Sequence, residues 1–215
     1  PKISDGQLLF QLNGISKLKD NGRMAIIHNG SALFSGAAGS GESEIRRFVI
    51  ENDWLDAIIH LPNDVFYNTG ISTYVWIIDK DKKRHRQGRV QLIDASHMYE
   101  NRRKNIGSKR VDITEECRNV IVQAYGDFLN KEYNLGDRKA ESKVFDNLKF
   151  GFNKVTIESP LKDEAGNIIL KKKKPQADAS LRDTEDIPLT EDIDVYFERE
   201  IKPFNQDSWI DKSKT

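Results

Sequence analysis

The apolar positions of this chain change their period along its length, and that change divides it. Leu8, Leu9, Leu12, Ile15 and Leu18 recur at three- and four-residue intervals, which predicts a first helix ending at Asn21-Gly22, and Ser4 and Gln7 have capping-box spacing at its start. Met24 to Ile27 is a continuous apolar run and predicts a short buried strand ending at His28-Asn29-Gly30. A glycine-rich loop, Ser35 to Gly41, leads into a helix over 42–52 with Ile45, Phe48 and Val49 on one face. Two more apolar runs, Leu55 to Leu61 and Thr73 to Ile78, read as buried strands. The stretch between them lacks helical period, so these two strands are expected to pair antiparallel. Val90 to Ile93 is a candidate for another strand.

Continuous rather than alternating hydrophobicity, with a helix between strands, indicates a sheet covered on both faces and a parallel crossover. The first part of the chain is therefore α/β. From Thr114, an N-cap residue, the positions Cys117, Val120, Ile121, Ala124, Tyr125 and Phe128 mark an amphipathic helix. After Asp146 regularity fades. Residues 155–161 and 168–170 flank Asp163 to Asn167 as a hairpin would, 171–180 reads as a linker, and a short helix is expected over 192–201 with Val195, Tyr196 and Ile201 as its apolar side. No internal repeat is present. The pattern suggests two regions, 1–95 and 96–215, the second mainly helical and irregular.

Composition sharpens this division. Charged residues are 32% and hydrophobic ones 37% of 215 residues, polar for a self-sufficient enzyme domain, and the deficit lies in the second region. Part of that region is expected to need a partner surface. Net charge is zero, but the charges come in blocks. Lysines and arginines dominate between Lys80 and Arg110, and acids dominate between Asp183 and Glu200. These read either as solvated surfaces or as a phosphate-facing patch and an acidic docking tail. The single cysteine, Cys117, excludes an internal disulfide framework and a cysteine-cluster zinc site, which fits a reducing cytoplasm. No apolar run approaches the roughly 18 residues of a membrane span. The start at Pro1, without a Met, suggests a piece of a longer protein.

Candidate chemistry is sparse. Gly36 to Ser43 has the spacing of a phosphate-binding loop, but Glu42 stands where that motif needs lysine, so a flexible loop ending in a helix cap is the better reading. His28, His60, His85 and His97 have no partners at metal spacing, and no nucleophile–base arrangement stands out. No metal site and no catalytic residue is expected. Phe66-Tyr67-Asn68-Thr69-Gly70 differs: beside a strand end it offers two aromatic rings, an amide, a hydroxyl and a glycine that permits close approach. That set can stack on and hydrogen-bond a planar base, or plug a sheet edge.

The order of segments brings in a family. Gly22 to Gly36, Gly41 to Pro62 and Phe66 to Ile77, continued by Arg89 to Ala95, Tyr125 to Phe128, Ser180 to Leu189 and Asp194 to Glu200, resemble the modification subunit of type I restriction–modification systems, an adenine-N6 DNA methyltransferase. The resemblance implies the carboxyl-terminal half of a Rossmann-like methyltransferase sheet, mixed and with an antiparallel final strand, followed by an extension. It also implies S-adenosylmethionine as methyl donor of the complete enzyme. The family's glycine-containing donor motif and its Asn-Pro-Pro-Phe/Tyr motif are not found in residues 1–215, so no cofactor binding and no activity are expected of this chain alone. Phe66 or Tyr67, with Asn68 and Thr69, is then expected to form the target-base pocket, because a methylated adenine leaves the duplex and is clamped by stacking. Arg102, Arg103 and Lys104 are expected to contact phosphates. The implied partners are DNA, the specificity and restriction subunits, and the amino-terminal half of the same subunit. The alternative is a non-catalytic scaffold that binds DNA or subunits.

Overall fold

A computed structural model describes residue 3 and residues 6–214, which form two compact units, 1–147 and 148–215. In the first, helix α1 (Gln7–Lys17) precedes strand β1 (Arg23–Asn29), a helical turn α2 (Ser31–Phe34), helix α3 (Gly41–Glu51) and strands β2 (Leu55–Leu61), β3 (Thr73–Asp79) and β4 (Arg89–Asp94). A hairpin, β5 (Glu100–Ile106) and β6 (Lys109–Asp112), leads to helix α4 (Glu115–Asp127) and strands β7 (Lys131–Leu135) and β8 (Arg138–Asp146).

Six strands form one sheet in the order β1–β3–β2–β4–β8–β7. The β2–β4 pair is parallel and every other pair is antiparallel. Strands β1 and β2 therefore run in the same direction, joined through α3, with β3 inserted between them. This bears out the crossover and the antiparallel β2–β3 pair. The Cys117, Ile121 and Ala124 side chains of α4 pack with Ile59, Ile93, Tyr133 and Ala140. On the other face Gln11 of α1 accepts or donates a hydrogen bond at 2.9 Å with His28 of β1, and both are buried.

Strand β1 is not the buried strand that its apolar run suggested. It is the outermost strand, and its odd positions are open: Ile27 is 49% exposed while His28 is buried. The expected capping box lies outside the described residues, because it rests on Ser4. Gln7 reaches across to Asn29 and Ser31. Ser40 does cap α3, accepting from the Ser43 amide, and Thr114 caps α4 through the Cys117 amide.

The sheet does not stop at position 95. Strands β7 and β8 extend it, and a buried polar cluster ties them to β2. Asp56, fully buried, receives Arg86 Nε at 2.6 Å and Nη2 at 3.0 Å, together with the Tyr125 hydroxyl. Arg86 also donates to Gln91 Oε1 at 3.1 Å and stands 4.0 Å from the Phe128 ring centroid. Gln91 passes the connection on to Ser142 of β8 at 2.9 Å. A buried charge needs such complete pairing, and here it locks the loop after β3 onto α4.

The second unit is built on strand β9 (Phe152–Glu158), flanked by β12 (Asp183–Pro188) and β13 (Trp209–Ile210) in a three-stranded antiparallel sheet. Between β9 and β12 lies a small hairpin, β10 (Leu170–Lys171) with β11 (Lys174–Pro175). Val155, Ile157, Ile187 and Phe197 form the core of the unit. The expected turn over 163–167 is present, closed by the Asp163 amide on the Asn167 carbonyl at 2.9 Å. The run before it is divided: 152–158 is β9 and pairs with β12 and β13, while Leu161 and Lys162 do meet 168–169, through the Ile169 amide on the Leu161 carbonyl at 2.9 Å and an isolated bridge between Lys162 and Ile168. The acidic stretch is likewise no free tail, since 183–188 is strand β12. Helix α5 (Ile193–Tyr196), capped by Asp192, runs into a π-helical turn over Phe197–Ile201. Val195, expected inside, is 61% exposed, and Phe197 takes the buried place.

Candidate functional site: the loop after strand β2

The loop over 62–72 leaves β2 where the parallel pair β2–β4 ends, the edge at which open α/β sheets place ligands. A row of polar and aromatic side chains crosses this edge. His28 and His60 both stand opposite Tyr74 in register, and Asp94 stands opposite His60. The His60 ring stacks on Tyr74 with 4.6 Å between centroids and an interplanar angle of 14°, and its Nδ1 is 3.2 Å from Asp94 Oδ1. Partial burial pushes the Asp94 carboxyl up, but hydrogen bonds from Ser96 and the neighbouring His60 and His97 hold it below its ordinary range.

Within the loop, Phe66 is half-buried and forms an isolated β-bridge with Thr69, while Tyr67 is 56% exposed. Asn68 is exposed, and Thr69 Oγ1 accepts from the Ile71 amide at 3.3 Å. The short bridge draws these residues into one tight turn, so all four expected base-pocket residues are neighbours in space.

Sequence reading missed what holds the loop in place. The Tyr67 carbonyl accepts from the Ser108 amide at 2.8 Å, and the Asp64 carbonyl accepts from the Arg110 amide at 2.9 Å. Both donors belong to the β5–β6 hairpin, whose turn contains Gly107 at φ +58°. A Cβ on Gly107 would stand 2.5 Å from the Tyr67 carbonyl oxygen, so glycine is needed both for the turn and for the close approach. Lys109 Nζ is 5.4 Å from the Tyr67 ring centroid. A glycine between Ile106 and Ser108 was the available signal for this turn.

The same hairpin carries Arg102, Arg103 and Lys104. Arg102 is committed internally, to Asp112 and to the Lys104 carbonyl at 3.2 Å. Asp112 is also met by Lys109 at 3.0 Å; Lys109 foremost, with Arg102, keeps its carboxyl below the usual range. Arg103, Lys104 and Arg110 are exposed. Elsewhere the basic block is partly structural: Lys82 is buried against Asp53 at 2.7 Å, as Arg86 is against Asp56. Three exposed cations thus remain on the hairpin that grips the aromatic loop. Among the described residues no group of three or more His, Cys, Asp or Glu is placed to hold a metal ion.

Residues 1–157 match the profile of the N-6 DNA Methylase family. The chain belongs to that family. It is 31% identical over 132 residues to the methylase subunit of the type I restriction enzyme MjaIX from Methanocaldococcus jannaschii, covering 61% of this chain and 22% of that protein. It is 29% identical over 126 residues to the EcoKI methylase subunit of Escherichia coli, covering 58% and 23%. The chain thus spans about a fifth of the length of these curated relatives. Among solved structures, the type I restriction–modification methyltransferase subunit from Streptococcus thermophilus superposes with a TM-score of 0.55 at 27% identity, over 68% of this chain and 28% of that one. A modification subunit of a type I restriction enzyme from Vibrio vulnificus shares the fold at a TM-score of 0.50 and 19% identity, over 78% and 31%. The mixed sheet of this methylase-family chain is accordingly Rossmann-like. No helix among its described residues is long and apolar enough to cross a membrane.

Proposed function

We propose that this chain is part of an adenine-N6 DNA methyltransferase of a type I restriction–modification system, and that its 62–72 loop is one wall of the pocket for an extruded adenine. The observation that carries this reading is the aromatic turn at the end of β2, pinned by backbone hydrogen bonds to a hairpin with exposed cations. An extruded base loses its stacking in the duplex, and an aromatic face replaces it. Phe66 is assigned that role: half-buried and fixed by its bridge to Thr69, it gives up little freedom when a base arrives. Tyr67, Asn68 and the Thr69 hydroxyl line the same turn and offer hydrogen-bonding groups. Arg103, Lys104 and Arg110 would hold flanking phosphates without reading sequence.

The glycine-rich loop over 35–41 does not fit S-adenosylmethionine. It joins α2 to α3 and is filled by its own side chains: a Cβ on Gly36 would lie 2.2 Å from Ser40 Oγ and 3.1 Å from Glu42 Oε2. Arg46 Nη2 also bonds its Ser35 carbonyl at 2.7 Å. A carboxylate-lined, self-filled loop offers no cradle for the donor's own carboxylate. Donor binding is therefore assigned to other parts of the subunit. Specificity and restriction subunits are the proposed partners, in the reducing cytoplasm that a lone buried cysteine suits.

The test is to express the complete gene product with its specificity subunit and to search host DNA for N6-methyladenine by mass spectrometry. The account expects the modified base at one recurring sequence. Its absence, with both subunits folded and associated, would leave the chain as a DNA- or subunit-binding scaffold.

A further inference from the structure

Between Ser159 and Asp178 the second unit sends out an arm that contributes nothing to its core. Every residue from 162 to 175 is exposed. Yet the arm is ordered by backbone hydrogen bonds: Leu161 N to Gln176 O at 2.7 Å, Ile169 N to Leu161 O at 2.9 Å and Gln176 N to Ile169 O at 2.9 Å. Its end is the β10–β11 hairpin, closed by the two-residue loop Lys172-Lys173.

That loop contradicts the local preference of its residues. Lys172 has φ +51° and Lys173 φ +66°. Two successive left-handed residues make the turn type for which Asn-Gly is the usual solution, and a Cβ is sterically disfavoured in that conformation. The turn also crowds four like charges, Lys171 to Lys174, with Lys171 and Lys174 directly opposite in register. Among the described residues none of the four ammonium groups has an ion-pair or hydrogen-bond partner. Strain and repulsion are concentrated at a tip that does nothing for its own fold.

We propose that this arm is a phosphate-binding ribbon for duplex DNA. A two-stranded ribbon is narrow enough to approach a DNA groove, and lysines at its tip neutralise backbone charge without reading bases. The choice of DNA over another polyanion rests on the methyltransferase reading above; the arm's geometry and charge do not.

The test measures binding of the whole chain to a duplex of arbitrary sequence over about 50–200 mM salt. One variant, Lys172→Asn/Lys173→Gly, removes two charges while installing the residues the turn prefers. A second, Lys171→Gln/Lys174→Gln, removes two charges and leaves the turn alone. Each is expected to weaken binding several-fold and to flatten the slope of log affinity against log salt by up to about 1.8, or about 0.9 for each phosphate no longer neutralised. The first should keep or raise the unfolding temperature, which separates weaker phosphate binding from a damaged fold. Unchanged slopes in both variants would overturn the arm's role, while weakened binding by Arg103→Ala/Lys104→Ala in the same assay would leave the methyltransferase reading standing. No DNA binding by the wild-type chain would overturn the arm proposal. Equal affinity of the wild type for polyglutamate would overturn it in favour of an acidic protein partner.

Discussion

Replacing Arg86 with alanine should cost the first unit about 3–5 kcal/mol, the range for removing one partner of a buried ion pair while the other stays charged inside. Asp56 has no exposed surface, and Arg86 donates to it at 2.6 and 3.0 Å. After truncation the Tyr125 hydroxyl would be the side-chain donor left to it from this cluster. Gln91 Oε1 and the Tyr125 carbonyl lose donors at 3.1 Å each, and the Phe128 and Tyr125 rings lose a cation at 4.0 and 4.5 Å. These terms share atoms with the ion pair and do not add fully to it, so the same range stands for the total. At about 2–4 °C per kcal/mol for a unit of this size, the unfolding temperature should fall by roughly 6–20 °C. Urea unfolding of Arg86→Ala, Asp56→Ala and the double variant measures the coupling. The apolar pair Asp56→Leu/Arg86→Met should recover much of the stability, since no charge is then stranded. A cost below about 1 kcal/mol for Arg86→Ala, the scale of an exposed pair, would refute the claim that this cluster is sealed from water.

Gly107→Ala should loosen the grip on the aromatic loop by about 1–3 kcal/mol, because its Cβ meets the Tyr67 carbonyl and its backbone is left-handed. Hydrogen exchange of the Ser108 and Arg110 amides should then accelerate roughly 5- to 150-fold; unchanged protection would mean the hairpin does not hold the loop. The Tyr125 hydroxyl is pushed up to about 12 by burial first, then by its bond to Asp56. A phenol whose folded value exceeds its unfolded value of about 10 stabilises the fold fully below pH 10, and that contribution is lost as pH rises through about 12. Denaturant midpoints should therefore fall between those values, and Tyr125→Phe should flatten the fall. A pH curve that the substitution leaves unchanged would contradict this.

Much of the sheet was legible because its central strands are buried on both faces, and continuous runs such as Leu55 to Leu61 carry a strong signal. Strand β1 misled for the opposite reason. Its apolar side chains do not reveal that its outer edge is open, since edge position is a property of strand order and not of local sequence. Strands β7 and β8 were missed because their few inward residues, Tyr133, Leu135, Ala140 and Ser142, stand among charged neighbours, too weak an alternation to register. The β5–β6 hairpin has almost no apolar positions at all. The aromatic turn was legible by residue type, but its anchor was not: backbone donors at Ser108 and Arg110, distant in sequence, have no side-chain signature. In the basic block, the sequence could not tell Lys82 and Arg86, consumed by buried carboxylates, from Arg103 and Lys104, which remain exposed.

The central claim is that this loop holds an extruded adenine, and Phe66→Ala in the complete methyltransferase tests it most directly. Single-turnover methyl transfer to adenine N6 in a cognate duplex should slow about 5- to 150-fold, the equivalent of the roughly 1–3 kcal/mol of one base–aromatic stacking interaction. Fluorescence of 2-aminopurine at the target position should report less extruded base in parallel. Wild-type rates and wild-type fluorescence in a folded variant would contradict the account and leave Phe66 as a plug at the sheet edge.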